Sequence, residues 1–267
     1  MLIRPGLEFA NLSDIGCQRE ENEDSSAYWE PENEDEFQQK GRLAVIADGM
    51  GGYEGGQQAS SLAVQTVCEA YKEGASAGPQ IALIQGLYQA HTKIQEYARL
   101  HPGFFGMGTT CTAVSLRQRE LYFAHVGDSR LYLVRNGSIS RLTRDHSYVG
   151  RLVESGLIAP EQAETHPQRN VLTAALGVGM ELTPQVPSQA ITLQDNDVLV
   201  LCTDGLWGQV SDDELRKATS SRDPREACKE LIDLARARGG PDNITVQVLR
   251  LGANGVGKAA AHGEEHP

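Results

Sequence analysis

The sequence has few basic residues and no long apolar run, and each shortage excludes a class of protein. Across 267 residues, 24 Lys and Arg stand against 36 Asp and Glu, so the net charge is −12. A protein that wraps nucleic acid or binds an anionic membrane surface needs a basic face, so neither is an expected partner. No apolar stretch is long enough to span a bilayer, and the N-terminus has no apolar segment of signal-peptide length.

The cysteines are also few, and their spacing has no motif typical of a disulfide or a zinc site. The five are widely spaced and contain no C-x-x-C pair: Cys17, Cys68, Cys111, Cys202 and Cys228. Neither a disulfide scaffold nor a structural zinc site is expected, and a reducing compartment fits better. Because 40% of the residues are hydrophobic, the chain can still bury a large core. These features predict a stand-alone cytoplasmic protein, and we expect a monomer.

Hydrophobic periodicity predicts strands and helices layered around one core. Strands are expected at 7–15, 43–47, 110–116, 121–126, 130–134, 198–203 and 244–249, and helices at 59–71, 81–98, 212–218 and 224–238. The pair Asn136-Gly137 predicts a tight hairpin turn. Residues 147–180 are expected to form short helices and loops, and the acidic residues 30–40 a solvated loop. In the second helix, Ile81, Tyr88 and His91 fall on the apolar stripe, so they are expected to pack against a sheet.

Aspartates stand repeatedly at the ends of predicted strands: Asp48, Asp128, Asp204 and Asp242. Any one of them could simply start a turn, which is the commonest use of aspartate in loops. If the strand after Asp242 runs antiparallel to a neighbour, Asp48, Asp204 and Asp242 would reach one edge of the sheet. Unpaired carboxylates there would repel one another, so a cation is expected between them. Oxygen ligands select Mg²⁺, Mn²⁺ or Ca²⁺ over zinc.

An arginine near this cluster points to the substrate. Arg19 opens the segment Arg-Glu-Glu-Asn-Glu-Asp, so a bidentate phosphate-binding group lies beside Glu23 and Asp24. Divalent metals and an arginine in an otherwise acidic site fit phosphate-ester chemistry.

Seven short segments stand out along the chain. They are Arg19-Glu-Glu-Asn-Glu-Asp24, Ala47-Asp-Gly-Met-Gly-Gly52, Gly108-Thr-Thr110, Ala124-His-Val-Gly-Asp-Ser-Arg130, Leu142-Thr-Arg-Asp-His146, Cys202-Thr-Asp-Gly-Leu-Trp207 and Gly239-Gly-Pro-Asp-Asn-Ile-Thr245. Their order resembles the motif series of the metal-dependent protein phosphatase family (protein phosphatase type 2C), in its bacterial branch. Each is weak alone, but seven in order over about residues 7–250 are very specific.

The resemblance implies a fold and an activity. The fold would be α+β, a four-layer arrangement in which helices flank a β-sandwich of two antiparallel sheets. One catalytic domain would cover 1–251, with a mobile flap at about 147–170. Residues 252–267 are rich in Gly, Ala and His, and this composition predicts a disordered tail. The enzyme would hydrolyse phosphoserine and phosphothreonine in proteins through a water that bridges two divalent metals, Mg²⁺ or Mn²⁺, and would oppose a bacterial serine/threonine kinase.

The resemblance also implies roles for individual residues. Asp48 would bridge the two metals, and Asp204 and Asp242 would complete the first metal site. Gly49 would bind the second metal through its carbonyl, while Glu23 and Asp24 would act through coordinated waters. Asp128, with Asp204, is similar to the ligands of a third metal in bacterial members. Arg19 would hold the phosphate, and Asn243 would support Asp242.

Some residues depart from the family pattern. Met50 stands where many eukaryotic relatives have a histidine proposed as general acid, so a metal-bound water would protonate the leaving group. Tyr53 replaces a common histidine, which leaves details of the flap open. His146 could shuttle protons, but a hydrogen-bonded histidine at a turn is the simpler interpretation.

Two other functions compete with the phosphatase hypothesis. One is a non-catalytic, cation-stabilised protein that binds phosphoproteins, although such a protein would be expected to lack one of Asp48, Asp204 or Asp242. The other keeps the chemistry but acts on small phosphate esters. Residues 252–259 are one residue from a phosphate-binding P-loop, but Ala259 lacks the hydroxyl that binds Mg²⁺, and too little chain follows.

Overall fold

The computed structural model describes residues 4–51 and 55–252. Tyr53 and residues 253–267, which include almost all of the predicted tail, lie outside the described residues.

The described residues form eleven strands and eight α-helices. The strands are β1 (Leu7–Asp14), β2 (Asp24–Trp29), β3 (Arg42–Met50), β4 (Gly108–Thr109), β5 (Cys111–Arg117), β6 (Glu120–Val126), β7 (Arg130–Arg135), β8 (Ser138–Arg141), β9 (Ile191–Thr192), β10 (Val198–Cys202) and β11 (Ile244–Leu251). The helices are α1 (Glu34–Lys40), α2 (Gly55–Gly74), α3 (Pro79–Leu100), α4 (Tyr148–Glu154), α5 (Pro160–Glu164), α6 (Asp204–Trp207), α7 (Asp212–Ser221) and α8 (Pro224–Ala237). Every strand predicted from the periodicity is present, with bounds shifted by a few residues at most.

The strands build two antiparallel sheets. The first has the order β1-β11-β10-β7-β8, and the second β2-β3-β5-β6-β9, with β4 paired to β3. An apolar cluster that includes Ile46, Phe123 and Leu199 fills the space between the sheets. The outer face of the second sheet packs on α2 and α3, and that of the first on α7 and α8. The result is the four-layer α+β sandwich that the resemblance implies.

Helices α2 and α3 pack closely against each other. At Gly86, a β-carbon would lie 3.2 Å from the Cα of Val67.

The apolar stripe predicted for α3 is only partly correct. His91 is buried and accepts a hydrogen bond from the Gly177 amide at 3.1 Å, as expected of a packed histidine. In contrast, 56% of Ile81 and 46% of Tyr88 are exposed. Ile81 lies about 200° around the helix from the buried Leu83, so it cannot share that face.

The acidic stretch before β3 was not correctly predicted. Residues 30–40 were expected to be a loop, but the structure has α1, whose N-cap Asn33 accepts a hydrogen bond from the Glu36 amide at 3.0 Å. The guanidinium groups of Arg4 and Arg42 each lie 4.7 Å from the ring centroid of Phe37. Strand β2 was missed because all six of its residues are only half-buried, which leaves no clear alternation in the sequence.

The hairpin turn and the short helices predicted from the sequence are present in the structure. Asn136 and Gly137 have φ angles of 50° and 75° and join β7 to β8, as a tight hairpin requires. Residues 147–180 hold the short helices α4 and α5. All five cysteines are free, and four of them are buried. Within the part of the chain that the structure describes, no helix has both the length and the apolar character needed to cross a membrane.

Candidate metal centre

Three of the predicted carboxylates come together where the two sheets meet. Asp204 follows β10 and Asp242 precedes β11, and because these strands are antiparallel, both residues reach the same edge of the first sheet. Asp48, however, lies on β3 in the second sheet. The expectation that all three share an edge of one sheet is therefore wrong, and the acidic cluster lies between two sheets.

Asp24 links the two sheets at this point. On β2 it stands directly opposite Asp48 on β3. Its Oδ2 accepts hydrogen bonds from the hydroxyls of Thr203 at 2.9 Å and Thr245 at 2.6 Å, both from the first sheet's side. The sequence reasoning did not assign these threonines. Their positions next to Asp204 and three residues after Asp242 were the available signal.

The carboxylates raise one another's pKa values. Burial, followed by the charges of Asp24, Asp204, Asp128 and Asp242, raises the pKa of Asp48 well above its usual value of 3.8. Burial raises the pKa of Asp24 to about 7 against the effect of the two threonine hydroxyls. Burial and the charge of Asp242 raise the pKa of Asp204 to about 6, partly offset by a hydrogen bond with the Asp48 carboxyl. These groups resist ionising together without a positive charge among them.

The chemistry of these donors fits divalent cations. Two buried carboxylate oxygens, Oδ1 of Asp24 and Oδ1 of Asp204, have no hydrogen-bond partner. A buried oxygen of this kind needs a donor, a cation or a water. Within residues 4–51 and 55–252, no three His, Cys, Asp or Glu side chains form a compact ligand group by themselves. The carboxylate oxygens are hard donors, the type that Mg²⁺ and Mn²⁺ prefer.

Arg19 supplies positive charge at the edge of the cluster. Its Nη2 donates to Oδ2 of Asp242 at 2.7 Å, and its Nη1 lies 4.0 Å from a carboxylate oxygen of Glu23. The side chain is about half exposed, with a relative accessible area of 46%. In this structure the guanidinium binds a carboxylate, and its exposure leaves it accessible to an anion from solvent.

Glycines let the backbone of the 19–24 segment approach β3 and α2. The Gly49 amide donates to the Glu23 carbonyl at 3.2 Å, and the Ser60 hydroxyl donates to the same carbonyl at 2.6 Å. A β-carbon at Gly49 would lie 2.1 Å from the Gly56 carbonyl oxygen, and one at Gly56 would lie 2.3 Å from the Glu23 carboxylate. Neither position can hold a larger residue, so these glycines keep Glu23 against Gly49 on β3 and Gly56 on α2.

Asn243 contacts Asp242 through its backbone and other residues through its side chain. Its backbone amide donates to Oδ1 of Asp242 at 2.8 Å. Its side chain instead binds the segment that carries Arg19. Nδ2 donates to the carbonyls of Ile15 and Glu21, and Oδ1 accepts from the Glu23 amide at 2.9 Å. Asn243 therefore fixes the Arg19–Glu23 loop against the start of β11.

Asp128 lies in the turn between β6 and β7 and is buried, with 6% of its surface exposed. Burial and then the charge of Asp204 raise its pKa well above the usual value. Its carbonyl accepts a hydrogen bond from the indole Nε1 of Trp207 at 2.9 Å. Asp128 thus joins the acidic cluster on the side of Asp204.

His146 and Ser129 have structural partners. Nδ1 of His146 accepts from the Gly127 amide at 3.3 Å, and its backbone pairs with Gly127 and Thr173. This is the hydrogen-bonded turn histidine that the sequence favoured over a proton shuttle. Ser129 is buried and its hydroxyl bonds to that of Thr110 at 2.8 Å.

The family is decided by a match that covers most of the chain. A family model described as Protein phosphatase 2C matches residues 22–239. The chain belongs to the protein phosphatase 2C family. Its relatives are bacterial, as the motif series predicts.

Two curated members of the 2C family show the extent of the similarity. The serine/threonine protein phosphatase PstP of Mycobacterium tuberculosis is 35% identical over 243 residues, which are 91% of this chain and 44% of PstP. The chain therefore spans less than half of the length of that relative. The serine/threonine phosphatase stp of Listeria monocytogenes is 35% identical over 254 residues, which are 93% of this chain and 98% of stp.

Solved structures of 2C-family proteins have the same fold. The crystal structure of the M. tuberculosis phosphatase PstP/Ppp superposes with a TM-score of 0.82 at 34% identity, over 92% of this chain and 99% of that one. The catalytic domain of PstP in complex with two manganese ions superposes with a TM-score of 0.80 at 32% identity, with the same coverage.

Proposed function

We propose that the protein is a metal-dependent serine/threonine phosphoprotein phosphatase. The observation that carries the proposal is the acidic cluster of Asp24, Asp48, Asp128, Asp204 and Asp242, drawn from both sheets. Arg19 pairs with Asp242, while burial and mutual repulsion raise the pKa of Asp48 and of Asp24. A chain that keeps such a cluster at one end of its sandwich bears a folding cost that a bound cation removes. Membership in the 2C family and the two-manganese PstP structure support the same assignment.

We assign the following residues as ligands of the divalent ions. Asp48 would contact both of two Mg²⁺ or Mn²⁺ ions, with Asp204 and Asp242 on the first and the carbonyl of Gly49 on the second. Glu23 and Asp24 would act through waters, and Asp128 with Asp204 would hold a third ion. When bound, the ions would activate a water held between them as the nucleophile and neutralise the charge on phosphoryl oxygens.

The chain's own residues bind and orient the phosphate. Arg19 is exposed enough to exchange its contact with Asp242 for two parallel hydrogen bonds to a phosphoryl group. Asn243 holds the loop that carries Arg19, so the guanidinium stays at the edge of the acidic cluster. Met50 has no titratable group, and therefore a water would protonate the leaving group. Residues 147–170, which contain α4 and α5, would form the flap over the substrate.

The substrates we propose are proteins phosphorylated on serine and threonine by an opposing bacterial kinase. The naming of the family relatives as serine/threonine phosphatases supports this substrate class. The free cysteines support a reducing, cytoplasmic setting. We further propose that the enzyme works as a monomer with one catalytic domain over 1–251.

The test measures phosphate release from a phosphothreonine peptide in the presence of Mn²⁺. Asp48→Asn should reduce turnover by at least about a thousandfold, because it removes the carboxylate that both ions would share. EDTA should abolish turnover in the wild-type protein, and added Mn²⁺ should restore it. Asp213→Asn, at an exposed acid on α7, is the matched control and should leave the rate unchanged.

Two results would contradict the proposal. Full activity in metal-stripped protein would exclude a metal-dependent reaction. Stable binding of the phosphopeptide with no phosphate released over hours would instead favour the non-catalytic phosphoprotein-binding function. Rates measured side by side with a small phosphate ester decide between proteins and small molecules as substrates.

A further inference from the structure

Trp207 connects two segments that carry acidic residues of the metal centre. It is the last residue of α6, a single turn of helix whose first residue is Asp204. Its indole Nε1 donates a hydrogen bond to the backbone carbonyl of Asp128 at 2.9 Å. Because α6 is so short, the indole and Asp204 move as one unit. The hydrogen bond therefore sets the separation between the α6 segment and the turn between β6 and β7.

The guanidinium of Arg130 packs against one face of the Trp207 indole. The guanidinium of Arg130 lies 3.6 Å from the centroid of the Trp207 ring. Two parallel hydrogen bonds to Asp145, from Nε at 3.1 Å and from Nη2 at 2.7 Å, fix the plane of that guanidinium. A further bond runs from Nη1 to the Tyr132 hydroxyl at 3.1 Å, and Tyr132 is fully buried. The indole thus rests on a cation that cannot rotate freely.

We propose that Trp207, held by Arg130 and Asp145, is a positioning residue that sets Asp128 at the correct distance from Asp204 for a shared cation. This inference rests on the proposed assignment of Asp128 and Asp204 as metal ligands. None of the three supporting side chains would contact the cation. They act through the Asp128 carbonyl and through the short helix that begins at Asp204, and groups in this position commonly change metal affinity by about tenfold or more.

The same strand supplies a matched control. Arg135 stands at the other end of β7 and makes an equivalent two-pronged contact with Asp197, from Nε at 2.9 Å and Nη2 at 2.5 Å. The Asp197 side chain is 2% exposed and that of Asp145 is 13% exposed, but the Arg135–Asp197 pair has no contact with Trp207 or Asp128. Arg135→Lys therefore weakens a comparable ion pair without changing the contact between the indole and Asp128.

The experiment is calorimetric titration of Mn²⁺ into the metal-free full chain. Asp128→Asn should remove or weaken one class of binding site. Trp207→Phe keeps a flat ring but loses the N–H donor, and it should weaken that same class by about tenfold and leave the other sites unchanged. Arg130→Lys should act in the same direction, and Arg135→Lys should bind as the wild type does. The double variant of Trp207→Phe and Asp128→Asn should bind as Asp128→Asn alone.

Four outcomes would overturn the inference. Trp207→Phe could bind Mn²⁺ with wild-type affinities, or Arg135→Lys could weaken binding as much as Arg130→Lys, which would indicate only a general loss of stability. The double variant could also bind more weakly than Asp128→Asn. If Asp128→Asn itself binds as the wild type does, the assignment of Asp128 as a ligand fails, and the inference fails with it. Thermal unfolding in EDTA checks that each variant is folded.

Discussion

At the scale of single residues, the acidic cluster is a place where the folded chain tolerates an unfavourable arrangement. Asp24 and Asp48 face each other across two paired strands, a position in which like charges destabilise a sheet. The hydroxyls of Thr203 and Thr245 relieve Asp24 only in part, since burial still raises its pKa to about 7. In the absence of metal, this carboxyl therefore opposes folding whenever it is ionised.

The first prediction concerns the stability of the metal-free protein. The pKa of Asp24 rises from 3.8 to about 7 on folding, so the folded state binds more protons between these values. The free energy of unfolding contributed by this group therefore falls as the pH rises from about 4 to about 7. In EDTA at pH 8, Asp24→Asn should be more stable than the wild type by on the order of 2–4 kcal/mol. The gain should vanish near pH 4.

Urea unfolding at both pH values measures this effect. Asp197→Asn is the control, because its carboxylate is already balanced by Arg135 and its loss should destabilise the protein at pH 8. Equal stabilities for Asp24→Asn and the wild type at pH 8 would show that the cluster costs nothing without metal.

At the scale of elements, the sequence contained signals for a helix that hydrophobic periodicity alone did not detect. The start of α1 carries Asn33 followed three residues later by Glu36, a pattern typical of a helix N-terminus, and it could have identified this helix. The contacts of Phe37 with Arg4 and Arg42 could not have been predicted, because nothing local specifies which distant residues meet. Likewise, the exposure of Tyr88 follows from where α3 meets the sheet.

The crossing of α2 and α3 gives a prediction at this scale. At Gly86 even a β-carbon is close to the backbone of Val67. Gly86→Leu should force the two helices apart and reduce the free energy of unfolding by about 1–3 kcal/mol, as overpacking of a core typically does. Gln89→Leu places the same side chain on the exposed face of α3 and should change the stability little.

Thermal unfolding in EDTA compares the two variants, so that bound metal does not hide the difference. If Gly86→Leu melts at the wild-type temperature, the two helices have room that the structure does not show.

At the scale of the whole molecule, the motif order identified the four layers, while the strand pattern alone did not place the acidic cluster correctly. The sequence located Asp204 and Asp242 relative to each other because their strands are neighbours in one sheet. It could not place Asp48, since sheet membership depends on pairings between distant segments. The threonine contacts of Asp24 and the side-chain role of Asn243 were hidden for the same reason.

Because the proposed ligands come from both sheets, metal binding should stabilise the entire sandwich. Mn²⁺ at a hundredfold excess over its dissociation constant should add about 2.7 kcal/mol to the free energy of unfolding for one site. For a chain of this length the melting temperature should rise by roughly 5–10 °C. Asp48→Asn should show a much smaller rise. A melting temperature that is independent of Mn²⁺ would contradict binding at this position.

The apolar filling between the two sheets has a consequence for the chemistry. It separates the sheet that carries Asp48 from the sheet that carries Asp204 and Asp242 at its strand ends. Replacing a large interior residue such as Phe123 by a smaller one would narrow the gap between the sheets. Because Mg²⁺ and Mn²⁺ differ in ionic radius, we expect such a change in the middle of the protein to alter the preference of the proposed site between the two ions.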